Sequence, residues 1–318
     1  MKTDSAKPEE ASRLREEIAR LKKEKNALVM AHYYQRDEIQ EIADFIGDSL
    51  ALARQAAKTD ADVIVMCGVH FMGETAKILC PDKRVLVPDP EAGCSLADSC
   101  DPEEFAAFVA AHPDHTVISY VNTSAAVKAH TDIVVTSGNA RKIVEKLPAD
   151  EKIIFGPDRN LGGYLNSVTG REMLLWNGAC HVHDRFSLDR IMEMKKEHPG
   201  AKILVHPECR RPLQLIADKV GSTAALLDFA MNDDAREYIV VTESGILFEM
   251  RRKCPQKTFL AAPADDAECQ CNECDYMKLN TLRKVYEALR DDKYEIEVDP
   301  EIAAKAVLPI KRMLEMSE

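Results

Sequence analysis

No stretch of the 318-residue chain approaches the ~18 consecutive apolar residues of a membrane-spanning helix; runs such as Val63–Cys67 are far shorter. Residues 1–24 are charged and have no apolar centre, so they do not read as a secretory signal. A cytoplasmic protein is expected. Basic residues are in deficit, with 42 Lys and Arg against 54 Asp and Glu and a net charge of −12. Nucleic-acid binding needs a basic surface that displaces counterions, so that class is set aside. A small anionic substrate stays compatible, because a few local donors suffice. Gly-rich linkers and low-complexity tracts are also missing. What is present is a globular composition, 46% hydrophobic and 30% charged, which excludes a disordered chain. Length alone suggests about two domains.

Cysteine, by contrast, is plentiful, with ten residues. A chain this long buries a core without disulfides, and a cytoplasmic one does not keep them. The cysteines are therefore metal or redox groups, or small buried hydrophobes.

Apolar spacing predicts a helix over 8–25, with Leu14, Ile18 and Leu21 on one face. A short strand over 27–31, a helix over 49–58, a strand over 62–68, a helix over 73–79 and a strand over 84–88 follow. Helical segments over 278–290 and 309–316 close the chain. This alternation predicts an α/β fold with parallel strands covered by helices.

An internal repeat sharpens the picture. Ile42-Ala43-Asp44-Phe45-Ile46-Gly47-Asp48-Ser49 is identical to Ile216-Ala217-Asp218-Lys219-Val220-Gly221-Ser222-Thr223 at four of eight positions, at an offset of 174. The same offset places His32 on His206 and Tyr34 on Glu208. A middle copy at an offset of 88 places His32 on Tyr120, Tyr34 on Asn122 and Ser49 on Ser137. Each unit reads as a strand, a polar pair, then a hydroxyl opening a helix. The boundaries expected are 1–112, with the N-terminal helix, then 113–199, then 200–318, with the C-terminal helices. A hydroxyl at a helix start is ordinarily an N-cap. Three in register, each after a polar pair at a strand's carboxyl end, point instead to one shared site for a small polyanion.

The repeat also sorts the cysteines. Cys94 lies 62 residues after His32, Cys180 lies 60 after Tyr120, and Cys274 lies 68 after His206. Cys80 is the competitor in the first unit, but it has no counterpart in the second. Three thiolates suit an iron–sulfur cluster with one open iron, a Lewis acid that binds carboxylate or hydroxyl oxygens and assists loss of water. The alternative is zinc at Cys269, Cys271 and Cys274, although that group has no second pair or nearby histidines to complete it.

Several segments together resemble the quinolinate synthase family, over nearly the whole chain from about Ala31 to Met313. They include Ala31-His32-Tyr33-Tyr34-Gln35, Gly47-Asp48-Ser49, Gly93-Cys94-Ser95-Leu96, Tyr120-Val121-Asn122-Thr123-Ser124, Asn177-Gly178-Ala179-Cys180, His206-Pro207-Glu208 and Met277-Lys278-Leu279-Asn280. The resemblance implies three similar α/β domains around a pseudo-threefold axis with a central active site. It implies a 4Fe–4S cluster on Cys94, Cys180 and Cys274. It implies condensation of iminoaspartate with dihydroxyacetone phosphate to quinolinate, phosphate and two waters, a step towards NAD. A functional link to an enzyme that oxidises L-aspartate follows from that substrate. One departure stands out: Cys269-Gln270-Cys271-Asn272-Glu273-Cys274-Asp275 replaces the C-x-x-C-x-x-C-P run of many relatives, which puts any redox role of Cys269 and Cys271 in doubt.

Within that frame the catalytic group expected is Tyr34, Tyr120, His206 and Glu208, with Glu208 as general base and the tyrosines as proton shuttles. Substrate binding is expected from His32, Ser49, Tyr120, Asn122, Ser137, His206, Glu208, Ser222 and Thr223. His181 is placed beside the cluster, whereas His183 is read as a surface or core residue. Glu74 and Lys77 fall in a matching segment without a role. A different 4Fe–4S hydro-lyase acting on a small hydroxy acid, or a metal-stabilised regulatory module, are the competing readings.

Overall fold

The computed structural model describes residues 8–265 and 272–318. It contains three four-stranded sheets, each all-parallel. The first comprises β1 (Ala27–His32), β2 (Phe45–Gly47), β3 (Val63–Cys67) and β4 (Arg84–Leu86). The second comprises β5 (Thr116–Tyr120), β6 (Ile133–Val135), β7 (Ile153–Gly156) and β8 (Leu174–Leu175). The third comprises β9 (Lys202–Val205), β10 (Lys219–Val220), β11 (Glu237–Val241) and β12 (Thr258–Ala261). Spatial order is the same in all three: the second strand, then the first, then the third and fourth. Central strands such as Val63–Cys67 are buried along their length, as expected for parallel sheets covered on both faces. Three similar α/β units are thus present, where length alone suggested two.

One device fixes the register in every unit. Asp44, Asp132 and Asp218 each take the backbone N–H of the residue fifteen positions earlier, at 2.9, 2.8 and 2.8 Å. Each returns its own N–H to the same residue's carbonyl, on Val29, Val117 and Ile203. This closes the strand–helix–strand loop with the same two bonds three times. His32 then pairs with Gly47, Tyr120 with Val135 and Val205 with Val220. The three polar pairs and the three hydroxyl-bearing turns consequently sit at equivalent strand ends.

The helices at the chain's end do not pack where sequence order puts them. Leu282–Asp291 packs against Pro8–Glu24 on the first sheet, sharing an apolar cluster with Leu14, Ile18 and Val29. Pro300–Met316 crosses β6 and the short helix Ala125–Lys128 of the second unit. It also differs from the expected helix over 309–316. Asp299 caps it by accepting from Glu301 and Ile302, Pro300 occupies the first turn, and Pro309 lies in the interior. Proline normally interrupts such a run, so the reading started one proline too late. The helix expected over 278–290 is a short 3₁₀ turn, Met277–Leu279, followed by Leu282–Asp291 capped by Thr281. The helix expected over 73–79 begins earlier, at His70. Among the described residues no helix is long and apolar enough to cross a membrane.

Candidate active site

The strand ends of all three units face one cavity. Its wall includes His32, Tyr34 and Ser49 from the first unit, Tyr120, Asn122 and Ser137 from the second, and His206, Glu208 and Thr223 from the third. Cys94, Cys180 and Cys274 share that wall. Ser222 does not line it. Its side chain caps Thr223–Asn232 by accepting from the Ala225 N–H, so Thr223 is the hydroxyl that reaches the site. The first unit repeats this arrangement, with Asp48 as the cap and Ser49 at the first helical position. The second departs from it: Ser137 does not cap a helix, because Ala140–Lys146 starts three residues later behind Asn139.

The polar pairs have equivalent local geometry in the first and third units. The Tyr34 N–H donates to His32 Nδ1 at 3.2 Å, and the Glu208 N–H donates to His206 Nδ1 at 3.4 Å. An accepting Nδ1 leaves Nε2 as the protonated nitrogen. Nε2 of His206 accordingly meets Ser137 Oγ at 3.3 Å. Burial pushes both rings down to a pKa of about 3, so both are neutral donors at ordinary pH.

A hydrogen-bonded chain joins the two tyrosines. Tyr34 Oη lies 2.7 Å from Thr223 Oγ1 and 2.7 Å from Thr242 Oγ1. Thr242 Oγ1 lies 2.9 Å from His183 Nε2, and His183 Nδ1 lies 3.0 Å from Glu208 Oε2. The Tyr120 hydroxyl donates to Glu208 Oε1 at 2.5 Å. Burial raises the Glu208 carboxyl, but the His183 and His206 rings and the bonds from His183 and Tyr120 outweigh it and hold it at about 2. The His183 ring is the foremost of these, with the His206 ring and the Tyr120 hydroxyl behind it. Burial, and then the Glu208 charge, push both tyrosines well above their ordinary range.

His183, which the sequence leaves as a surface or core residue, is buried at the centre of this hydrogen-bonded chain and stacks on His206 at 4.5 Å. Its signal was its place three residues after Cys180, in a 3₁₀ turn. Thr242, Asp48 and Glu243 were also missed. His181 lines the cavity, with Nδ1 2.5 Å from Ser95 Oγ. Glu74 accepts from the Ala125 N–H at 2.9 Å and Lys77 pairs with Glu295, so both join segments of the fold.

The thiols of the cavity are protonated when free. Burial, and next the charge of Cys274, push Cys94 up to about 12; burial pushes Cys274 up to about 11 and Cys180 well above its ordinary value. Backbone N–H groups beside each sulfur pull the other way but do not offset the burial. Cys67, Cys80, Cys209 and Cys254 are buried away from the cavity, and Cys100 lies outside it. Cys269 and Cys271 lie outside the described residues. Cys180, His183 and Glu208 also bring three donor atoms within 4.8 Å of one another. His183 Nδ1 lies 3.0 Å from Glu208 Oε2 and 3.3 Å from Cys180 Sγ, and its Nε2 lies 2.9 Å from Thr242 Oγ1, so these side chains form a hydrogen-bond network.

Known proteins share this sequence throughout. The Quinolinate synthetase A protein family profile matches residues 16–315. The quinolinate synthase of Synechococcus sp. is 56% identical over 300 residues, covering 94% of each chain. That of Thermosynechococcus vestitus is 57% identical over 300 residues, again 94% of each. That of Chloroherpeton thalassium is 55% identical over 303 residues, covering 95% of this chain and 94% of its own. With its length matched almost end to end, this chain belongs to the quinolinate synthase family, whose enzymes use a 4Fe–4S cluster.

Proposed function

We propose that the cavity condenses iminoaspartate with dihydroxyacetone phosphate to quinolinate, phosphate and two waters, with the cluster on Cys94, Cys180 and Cys274. The observation that carries this reading is the meeting of three thiols, one from each unit, on the wall of one cavity. The donor set fits the cluster: soft sulfur ligands, convergent, and too buried to ionise without a cation beside them. When bound, a cluster on three thiolates supplies one open iron, a Lewis acid toward carboxylate and hydroxyl oxygens.

The side chains opposite perform the binding and proton transfer. Nε2–H of His32 and of His206 donate to substrate oxygens. Ser49 and Thr223, each opening a ten-residue helix, offer hydroxyls and free N–H groups to a phosphate or carboxylate. Ser137 and the Asn122 amide complete the donor ring. Condensation and aromatisation take protons from carbon and deliver them to leaving hydroxyls. Glu208 accepts through Tyr120. The chain Glu208–His183–Thr242–Tyr34 connects it to the Tyr34 hydroxyl, through which a proton is returned. Iminoaspartate arises by two-electron oxidation of L-aspartate, which supports a functional link to an enzyme of that class.

Anaerobic reconstitution tests the proposal. About four irons and four sulfides per chain are expected, with quinolinate formed only when dihydroxyacetone phosphate is supplied. A hydro-lyase acting on a single hydroxy acid would show no such requirement. Cys94→Ala, Cys180→Ala and Cys274→Ala should each lose the visible cluster absorption. A full cluster in any one of them would remove that residue from the ligand set.

A further inference from the structure

Where β11 ends, the turn Thr242-Glu243-Ser244-Gly245 carries a carboxylate that is fully buried. Glu243 Oε2 accepts from the Gly245 N–H at 2.7 Å. Oε1 accepts from the Cys274 N–H at 3.1 Å and from the Lys278 ammonium at 2.9 Å. The same ammonium donates to the Tyr34 carbonyl at 2.7 Å. One ion pair therefore touches the third unit, the segment that carries Cys274, and the first unit's polar pair.

Neutral contacts fasten the same three strands of chain. Arg36 Nε donates to the Lys278 carbonyl at 2.7 Å. Gln40 Nε2 donates to the carbonyls of Gly245, Tyr33 and Gln35 at 3.0, 3.1 and 2.9 Å. The Ser244 N–H donates to the Asn272 carbonyl at 3.1 Å. Gly245 allows the approach: a Cβ there would stand 2.8 Å from both Cα and C of Tyr34. A comparable arrangement serves Cys180, whose N–H donates to the buried Asp158 at 3.2 Å while Asp158 also caps Arg159–Thr169.

Buried ion pairs contribute little net stability, because desolvation of both charges offsets their attraction. What this pair does is hold two backbone donors, on Gly245 and Cys274, and one acceptor, the Tyr34 carbonyl, in fixed positions. We propose that Glu243 and Lys278 are positioning residues that set Cys274 and Tyr34 in register across the boundary between the first and third units. The proposal rests on Cys274 holding the cluster. Neither side chain needs to touch substrate. Glu243 orients the peptide from which the Cys274 thiolate projects, and Lys278 transmits that position to the backbone beneath the Tyr34 ring.

Glu243→Gln has one acceptor oxygen for three donors and turns an amide N–H₂ toward one of them. Anaerobically reconstituted Glu243→Gln should load iron to wild-type content and release it to a chelator about tenfold or more faster, the scale found when partners of metal ligands are removed. The electron paramagnetic resonance spectrum of its reduced cluster should shift. Lys278→Met should lower kcat by about tenfold while the KM for dihydroxyacetone phosphate stays within about threefold, because the phosphate donors lie on other elements. The double variant should be no worse than the more damaged single one. Glu243→Asp, which keeps the charge, should recover part of the chelator resistance even where the Gln variant folds poorly. Wild-type chelator kinetics and an unshifted spectrum in Glu243→Gln would overturn the proposal. A Cys274→Ala control separates the two readings: a full cluster in that variant removes the ligand assignment. Loss of the cluster there, beside wild-type behaviour of Glu243→Gln, removes the clasp alone.

Discussion

Glu208→Gln probes the centre of the site most directly. The carboxylate accepts at one oxygen from the Tyr120 hydroxyl at 2.5 Å and at the other from His183 at 3.0 Å. A glutamine keeps one acceptor and sets an N–H₂ against the second donor. One charge-assisted bond is lost, a cost of about 1.5–3 kcal/mol. The proposed proton acceptor is lost as well, and general acid–base groups contribute about 10²–10⁴ in rate. We expect kcat to fall by about 10²–10⁴, or about 3–5 kcal/mol in the barrier. Tyr120→Phe removes the donor of the same bond and should fall by about 10². Since the two groups share one proton path, the double variant should be no slower than Glu208→Gln alone. The assay is anaerobic quinolinate formation by protein with iron and sulfide content matched to wild type. Near-normal turnover of Glu208→Gln, or losses that multiply in the double variant, would refute the reasoning.

Two further substitutions test the frame around the site. Gly245→Ala places a methyl against the Tyr34 backbone, and overpacking of this kind costs about 1–3 kcal/mol. The thermal midpoint should drop by roughly 2–6 °C, and an unchanged midpoint would show that the two turns separate freely. Lys128 is fully buried and donates to the carbonyls of Val121 and Thr123, which bracket Asn122. Lys128→Met fills the space but leaves both carbonyls without that donor, at about 1–3 kcal/mol for each buried group left unsatisfied. The urea midpoint should fall and the KM for substrate should rise; a wild-type KM would detach the Tyr120–Asn122 turn from this lysine.

The repeat made much of this arrangement legible. Offsets that align His32 with His206 and Ser49 with Thr223 work because Asp44, Asp132 and Asp218 impose the same register in each unit. Spacing of that kind survives in sequence. Side chains without a counterpart in the other units were not legible. His183 follows Cys180 closely but reaches Glu208 only because the third unit folds against the second. Glu243 and Lys278 lie 35 positions apart and meet through tertiary contact alone. Ser222 and Thr223 were taken together because both are hydroxyls. Only backbone geometry separates the cap from the residue facing the cavity. Pro309 reads as a helix start because its lack of an N–H is a local fact, while the packing of Ile310 and Met313 that carries the helix through it is not.

The division of the three thiols among three units also sets a timetable for biosynthesis. Cys94 leaves the ribosome 180 residues before Cys274, a gap of roughly ten to thirty-five seconds at ordinary rates of synthesis. During that interval the first and second units stand without the helices Leu282–Asp291 and Pro300–Met316, which cover apolar surface on each of them. Their last interfaces close only as the final residues appear. On the proposed ligand set, the nascent chain presents two of the three thiols well before the third is made. A cluster on that set cannot be completed before Cys274 is made, and a chain cut short after the second unit would be a thiol-bearing, half-covered fragment.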